Sequence, residues 1–197
     1  MERGPMRDDD TERIRRSELI ASMTRALAAA VTAGEVAEET VSFVREATGA
    51  DEVAFGVTAD RGRRLRVIAA SGPTLLGAPR SVIDLANDTQ HPVADVLRAG
   101  RIVVVEEGSP SAGMRAFAPV VEGDRVTGVI AVLSARSKEP TDADLVLLKD
   151  TADRAGIALE RARLFRAERM ARAAADRAKS RMERLQAATA ELAKGLS

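Results

Sequence analysis

Apolar side chains at the start of the chain recur at three- and four-residue steps, the spacing of helices that bury one face. The pattern begins at Ser17 and predicts a first helix ending near Gly34, then a second over about residues 35–48. Gly49 follows directly, where a left-handed helix cap favours glycine. Residues 1–16 are charged and lack this period, so we expect a flexible arm.

A change of period from about 3.6 to two then predicts a β-sheet. The segment "DEVAFGVTA" places Val53, Phe55 and Val57 on one face of a first strand. After the turn signal "DRGRR", the run "LRVIAAS" predicts a second strand in a hairpin with the first. Three more strands are predicted from "RIVVVEE", "MRAFAPVV" and "VTGVIAVLSA", and the long apolar run of the last is typical of a central strand.

The connection between the second and third strands is unusually long. It runs from Gly72 to Pro92, a length typical of a lid or a binding segment. A short helix, "HPVADVLRAG", follows with Pro92 in its first turn. A long helix over about residues 143–194 closes the chain, and Thr141 is a suitable N-cap for it. The order predicts an α+β fold, with an antiparallel sheet of about five or six strands, N-terminal helices and a long C-terminal helix.

Composition excludes several classes of function. The 197 residues include 30 basic and 30 acidic side chains, so no net field favours nucleic acid or an anionic membrane as a partner. There is no Cys, which excludes disulfides, thiol nucleophiles and cysteine-ligated metals. No apolar run has the length of a spanning helix, and no signal peptide is recognisable, so we expect a cytoplasmic protein. Arg- and Ala-rich usage is typical of GC-rich bacterial genomes.

Two features could form metal or cofactor sites. Asp8, Asp9 and Asp10 are consecutive, whereas the ligands of a hard cation converge from several directions. We interpret them as a solvated charge run and predict no metal site. The single histidine, His91, could be an axial haem ligand, but the simpler interpretation is a turn residue that helps to start the short helix. No nucleophile, P-loop or zinc-protease motif occurs, and no catalytic residue is assigned.

The last predicted strand and the closing helix carry a family resemblance. The segment "GVIAVLSARSKEPTDADLVLLKDTADRAGIALERARLF" resembles the end of a GAF domain, and "GEVAEETVSFVREATGADEVAFGV" resembles the second helix and first strand of that family. One departure is Pro140, which stands where the family often has Phe. The resemblance places a GAF domain at residues 17–165. A PAS domain has a similar sheet, but two helices before the first strand favour GAF. The matching positions in the closing segment are Gly128, Val129, Ile130, Val132, Thr141, Asp144, Leu145, Leu148, Ala152, Ala155, Ala158, Ala162 and Leu164.

The resemblance implies a non-catalytic sensor whose ligand lies on the sheet face away from the terminal helices. Without Cys, covalent bilin attachment and the cysteine-dependent sulfoxide reduction of some relatives are excluded, so the cofactor stays unknown. Arg115 is the one charged residue expected in the pocket wall and would suit an anionic or carbonyl ligand. The alternative is that these residues fill a minor core without a ligand. The expected wall is Phe55, Val57, Arg115, Phe117, Ile130 and Val132, and the expected roof is Ile83, Leu85, His91, Val96 and Leu97.

The closing helix is too long to be buried by one domain, and its apolar residues follow a seven-residue repeat beyond residue 165. A parallel homodimeric coiled coil over residues 166–197 is therefore predicted, and an exposed single helix with charge pairs is the alternative. The expected seam is Leu164, Ala171, Ala175, Ala178, Met182, Leu185 and Leu192.

Residues 183–197 also resemble residues 18–32 at a fixed offset, with matching Glu, Thr and apolar positions. This similarity predicts that the closing helix runs into the opening helix of a second GAF domain. The expected function is a regulatory module of a bacterial signalling protein that senses a small molecule or partner and transmits through a dimeric helix. A phosphatase- or histidine-kinase-type output is expected beyond Ser197. The alternative is a ligand-free dimerisation or spacer module.

Overall fold

The computed structural model describes residues 6–72, 76–106, 114–134 and 141–195. These ranges contain four helices, six strands and, between the first two strands, a short 3₁₀ turn at Asp60–Gly62. The helices are α1 (Met6–Ala29), α2 (Ala33–Thr48), α3 (Pro92–Ala99) and α4 (Asp142–Gly195). The strands are β1 (Glu52–Ala59), β2 (Arg64–Ala70), β3 (Val82–Asp84), β4 (Val103–Glu106), β5 (Met114–Glu122) and β6 (Arg125–Ser134).

All six strands form one sheet in the order β3-β2-β1-β6-β5-β4, and every neighbouring pair is antiparallel. The predicted α+β fold is therefore confirmed. Strand β6 is central, as its continuous apolar run indicated, and residues 128–131 are buried. The prediction missed β3, which lies inside the segment expected to be a loop. Strand β3 has only three residues, too few to show a two-residue period, and its first side chain, Val82, is exposed.

Both faces of the sheet are covered, and each has its own core. Helices α1, α2 and α4 pack on one face, which we call the helix side, and α3 packs on the other, which we call the α3 side. The helix-side core includes Met23, Leu27, Val36, Val44, Val53, Phe55, Ile130, Leu148, Ala155 and Leu159. The α3-side core includes Ala54, Leu65, Val67, Leu76, Leu85, Val93, Val96, Phe117, Val129 and Ala131.

Helix α1 begins well before the position expected from the sequence. It starts at Met6 rather than Ser17, so the part of the expected flexible arm from Met6 onward is helical. The arm lacks an apolar stripe, but Asp9 and Glu12 each precede an arginine by four positions, a spacing that favours a helix. The prediction counted apolar periodicity alone and therefore began the helix too late.

Polar caps define the helix ends that position the two layers. Thr32 caps α2 in a reciprocal box, since its hydroxyl oxygen accepts from Glu35 N at 3.2 Å and the Glu35 carboxylate accepts from Thr32 N at 3.1 Å. Gly49 has the predicted left-handed conformation, with φ of 64°. Thr141 caps α4 as expected, since its hydroxyl oxygen accepts from Asp144 N at 3.2 Å and the same hydroxyl donates to Asp144 Oδ2 at 2.7 Å.

Besides the α4 residues in the helix-side core, two close contacts fix where α4 lies on the domain. Gly156 lies directly on β5, where a Cβ atom would be 3.0 Å from the carbonyl carbon of Val121 and closer still to its oxygen. Arg161 donates through Nη2 to the carbonyl oxygens of Leu27, at 2.5 Å, and Ala30, at 2.9 Å. Leu27 lies in the last turn of α1 and Ala30 directly follows the helix, where carbonyl groups have no partner within the helix. Arg161 therefore joins the end of α1 to the point where α4 leaves the domain.

Candidate functional site

The α3 side is where the sequence predicted a ligand pocket, and most of the predicted roof lies there. Leu85, Val96 and Phe117 are buried in the α3-side core, and Ile83 and Leu97 pack against it. The largest of these side chains, Phe117, is only 1% exposed, and Val96 is fully buried. The centre of this face is therefore filled by its own side chains.

The four other apolar wall residues lie on the opposite face. Phe55 and Ile130 are fully buried in the helix-side core, and Val57 and Val132 pack against it. The prediction that they form one wall with Phe117 was wrong.

The error came from the relative phase of neighbouring strands. Phe117 pairs with Ala131, whereas Ile130 pairs with Ala118 and with Phe55. Because side chains alternate between faces, a shift of one residue moves a whole set to the other side. Both faces of this sheet are apolar, so the sequence pattern could not decide which set faces the terminal helices.

His91 caps α3, which agrees with its simpler interpretation. Its Nδ1 accepts a hydrogen bond from Val93 N at 3.2 Å, and Pro92 occupies the first turn as predicted. Burial lowers the pKa of His91 below its ordinary value; Asp88 opposes this shift and Arg115 adds to it. The neutral ring is the form that can accept through Nδ1. The lowered pKa and the cap therefore both favour the neutral form of His91.

Arg115 also lies on the α3 side, close enough to His91 to affect its pKa. Arg115 pairs with Val105 of β4 and Leu133 of β6. It lies two residues before Phe117 on the same face of β5. Its Nε atom is buried. The structure thus brings Arg115 near His91 and Phe117, but separates it from Phe55 and the rest of the expected wall.

A cleft of 420 Å³ opens at one end of the α3 side, and we call it the hairpin cleft. Two expected roof residues, Leu85 and Leu97, line it. The rest of its lining was not predicted and comes from the β1–β2 and β5–β6 hairpins, the connection before α3 and α3 itself: Thr58, Arg61, Gly62, Thr89, Ala94, Arg98, Arg125 and Val126.

A larger groove of 770 Å³ lies where α4 leaves the domain, and we call it the root groove. It runs between α4, the turn from α1 to α2 and the same two hairpins. Val57 is the only expected wall residue in its lining. Its larger apolar residues are Val31, Val57, Leu159, Phe165 and Met170, and its charged residues are Asp60, Arg61, Glu122, Arg125, Arg163, Arg166 and Arg169.

Sequence reasoning missed this groove, although part of its signal is visible in "RLFRAERM". Arg163, Arg166 and Arg169 are three apart and fall near one another on a helix surface. The contributions of Arg61 and Arg125 come from hairpin tips that only the sheet register brings together.

The predicted seam of α4 is exposed. Ala162 is the last buried residue, and from 163 to 186 every described side chain is open to solvent. Leu164, Met182 and Leu185 are 59–60% exposed, and Ala171, Ala175 and Ala178 are exposed with them. Leu192 belongs to α4, but its side chain lies outside the described residues. Ile157, seven residues before Leu164, is 70% exposed and extends the repeat into the domain.

Within the described ranges, no group of three or more His, Asp or Glu side chains could hold a metal ion. No described helix combines the length and apolarity needed to cross a membrane. The carboxylates of Asp8, Asp9 and Asp10 lie outside the described side chains.

A six-stranded antiparallel sheet between a three-helix layer and a single short helix defines an α+β domain of two packed cores. A family model described as GAF domain matches residues 32–161, and the chain belongs to this family. GAF domains are generally regulatory sensor modules. A search of curated proteins finds no match.

Solved structures show the same fold at low sequence identity. The GAF domain of an Acinetobacter phosphoenolpyruvate-protein phosphotransferase is 16% identical, with a TM-score of 0.65, over 76% of this chain and 95% of that one. The GAF domain of a putative sensor histidine kinase from Pseudomonas syringae pv. tomato is 14% identical, with a TM-score of 0.64, over 86% of this chain and 99% of that one. A free methionine-R-sulfoxide reductase from Neisseria meningitidis is 19% identical, with a TM-score of 0.62, over 76% of this chain and 90% of that one.

Proposed function

We propose that the chain is a non-catalytic regulatory GAF module of a cytoplasmic bacterial signalling protein. It senses a small molecule or a partner and passes the change through a dimeric α4 to an output of phosphatase or histidine-kinase type. The observation that carries the proposal is the exposed seven-residue repeat on α4, which continues beyond Ala162, the last residue that is buried among those described. The likeness to the GAF domain of a putative sensor histidine kinase supports the same kind of output.

The exposed seam favours a second copy as the partner of α4. Ile157, Leu164 and Leu185 are spaced in sevens, and Met182 falls at the companion position of the heptad. Alanines fill most of the intervening seam positions, with Glu168 at another, so two helices can approach closely but bury little area in the middle. Such an interface is only moderately adhesive, which suits a helix pair that must rearrange to transmit a signal.

A ligand-free dimerisation or spacer module is the second candidate. It is favoured by the packed α3 side, where Phe117 and Val96 leave little space at the centre of the sheet. A thermal-shift screen with small metabolites, combined with an absorbance spectrum for a co-purified chromophore, separates the two candidates. A specific shift or chromophore supports sensing, and its absence favours the spacer.

Light scattering coupled to size-exclusion chromatography tests the dimer. The wild-type chain should have about twice the mass of its 20.9 kDa polypeptide. Leu185→Glu should reduce the mass to one chain, because it places a charge in the seam. Ser180→Glu is the matched control, since it adds the same charge on the helix face opposite the seam and should stay dimeric. A wild-type mass of one chain, or equal masses for the two variants, would contradict the proposal.

A further inference from the structure

The root groove has the size and lining of a small-molecule site. Its 770 Å³ falls within the range of about 300–1,000 Å³ typical of such sites. Three of its apolar side chains are open to solvent, with Val31 at 47%, Phe165 at 43% and Met170 at 61% exposure. Apolar surface gathered in a concave groove gains free energy when a ligand removes it from water.

The groove is also strongly basic, although the whole chain has no net charge. Five arginines line it with only two carboxylates, and both carboxylates already have partners. Asp60 pairs with Arg64 at 3.3 Å, and Glu122 pairs with Arg163 at 3.7 Å.

The four other arginines supply the surplus charge: Arg61, Arg125, Arg166 and Arg169. None of them forms an ion pair with a side chain in the described part of the protein. Guanidinium groups present paired donors that match a carboxylate or phosphate. An anion in the groove would therefore gain donors and relieve repulsion among like charges.

Backbone strain places one of these arginines. Asp60 and Arg61 have φ of 51° and 62°, the left-handed region that costs a non-glycine residue roughly 1 kcal/mol. This turn puts Arg61 at the border between the hairpin cleft and the root groove, where it lines both. Strained residues that persist in a fold often belong to ligand sites.

We propose that the root groove binds an amphiphilic organic anion, a small molecule with a carboxylate or phosphate head and an apolar body. Arg61 and Arg125 on the hairpins and Arg166 on α4 bind the head, and Phe165 and Met170 contact the body. A ligand held in this way joins the exposed part of α4 to the sheet domain.

An amphiphilic anion would be the small molecule sensed in the function proposed above. Only the signalling effect of its binding, and not the binding itself, rests on that proposal. Ligand binding and oligomeric state are measured separately, so either proposal can fail without the other. The monomeric Leu185→Glu variant should bind the ligand as the wild type does, because Leu185 does not line the groove.

Isothermal titration calorimetry with decanoate, below its micelle concentration, tests the site. Decanoate should bind at least about tenfold more tightly than acetate, which lacks the body, or decanol, which lacks the charge. If acetate bound as tightly as decanoate, the groove would be an adventitious anion site only. If decanol bound as tightly as decanoate, the groove would be a purely apolar patch. Either result overturns the proposal. Binding to phosphatidylglycerol vesicles without binding to decanoate would also overturn it, in favour of a lipid surface.

Matched variants locate the site. The double variant Arg125→Gln/Arg166→Gln should weaken decanoate binding about tenfold. The control double variant Arg172→Gln/Arg181→Gln removes the same charge from α4 outside the groove and should stay within about twofold of wild type. Equal losses in the two double variants would indicate attraction to overall charge and would overturn the site, provided that circular dichroism shows both to be folded.

Discussion

Gly156 provides a sharp test of how closely α4 packs on the sheet. Replacing a helical glycine by alanine normally stabilises a helix by up to about 1 kcal/mol. Here the added Cβ would lie 3.0 Å from the Val121 carbonyl carbon and 3.3 Å from Val121 N, with the carbonyl oxygen nearer still. These are backbone atoms in the ladder between β5 and β6, so they cannot rotate away as a side chain could.

The helix must therefore move off the sheet to accept Gly156→Ala. Overpacking costs about 1–3 kcal/mol, and a clash with fixed backbone atoms belongs to the upper part of that range, so the cost exceeds the gain of up to about 1 kcal/mol in helix propensity. We expect a net loss of about 1–2 kcal/mol, or about 2–8 °C in the midpoint of thermal unfolding for a chain of this size. Urea unfolding followed by far-UV circular dichroism, together with scanning calorimetry, measures both quantities.

Gly34→Ala is the matched control, because Gly34 is also helical and a Cβ there would meet only Thr32 Oγ1, at 3.8 Å. It should leave stability unchanged or raise it by less than about 1 kcal/mol. If Gly156→Ala were as stable as Gly34→Ala, α4 would have room above β5 and the close contact described here would be wrong.

Two further predictions concern a helix cap and a pH dependence. Arg161→Met should lower the free energy of unfolding by about 1 kcal/mol, because the carbonyls of Leu27 and Ala30 lose their donor. Arg161→Lys should lower this free energy by less. Equal stability of the wild type and both variants in urea would refute the cap. Burial lowers the pKa of His91 below its ordinary 6.5, so the unfolded chain binds its proton more readily and stability should fall as pH drops from about 7 to 5.5. His91→Asn keeps a capping acceptor for Val93 N and should flatten that slope in urea titrations; parallel slopes would contradict this role.

Much of the fold could be predicted because its elements have strong local signals. The two-residue period of β1 and the apolar run of β6 place these strands and predict the central position of β6. The start of α4 was predicted from Thr141 as its N-cap, and the hydrogen bonds between Thr141 and Asp144 show why a hydroxyl side chain suits that position. Local chemistry of this kind does not depend on the rest of the chain.

The candidate site was harder to predict because it depends on long-range geometry. Phe55 and Phe117 look equivalent in the sequence, yet the pairing of β5 with β6 places them on opposite faces. The root groove depends on the meeting of Arg61, Arg125 and Arg166, which lie in three separate elements. Only the sheet register and the exit direction of α4 bring such residues together, and neither has a local signal.

The length of α4 beyond Ala162 makes it a lever arm. Residues 163–195 extend for about 50 Å at 1.5 Å per residue. A tilt of about 5° near Gly156 and Arg161 would displace its far end by about 4 Å, roughly three-quarters of the rise of one helical turn. Sub-ångström adjustments at the base of α4 can thus become displacements large enough to separate or engage neighbouring side chains at its tip.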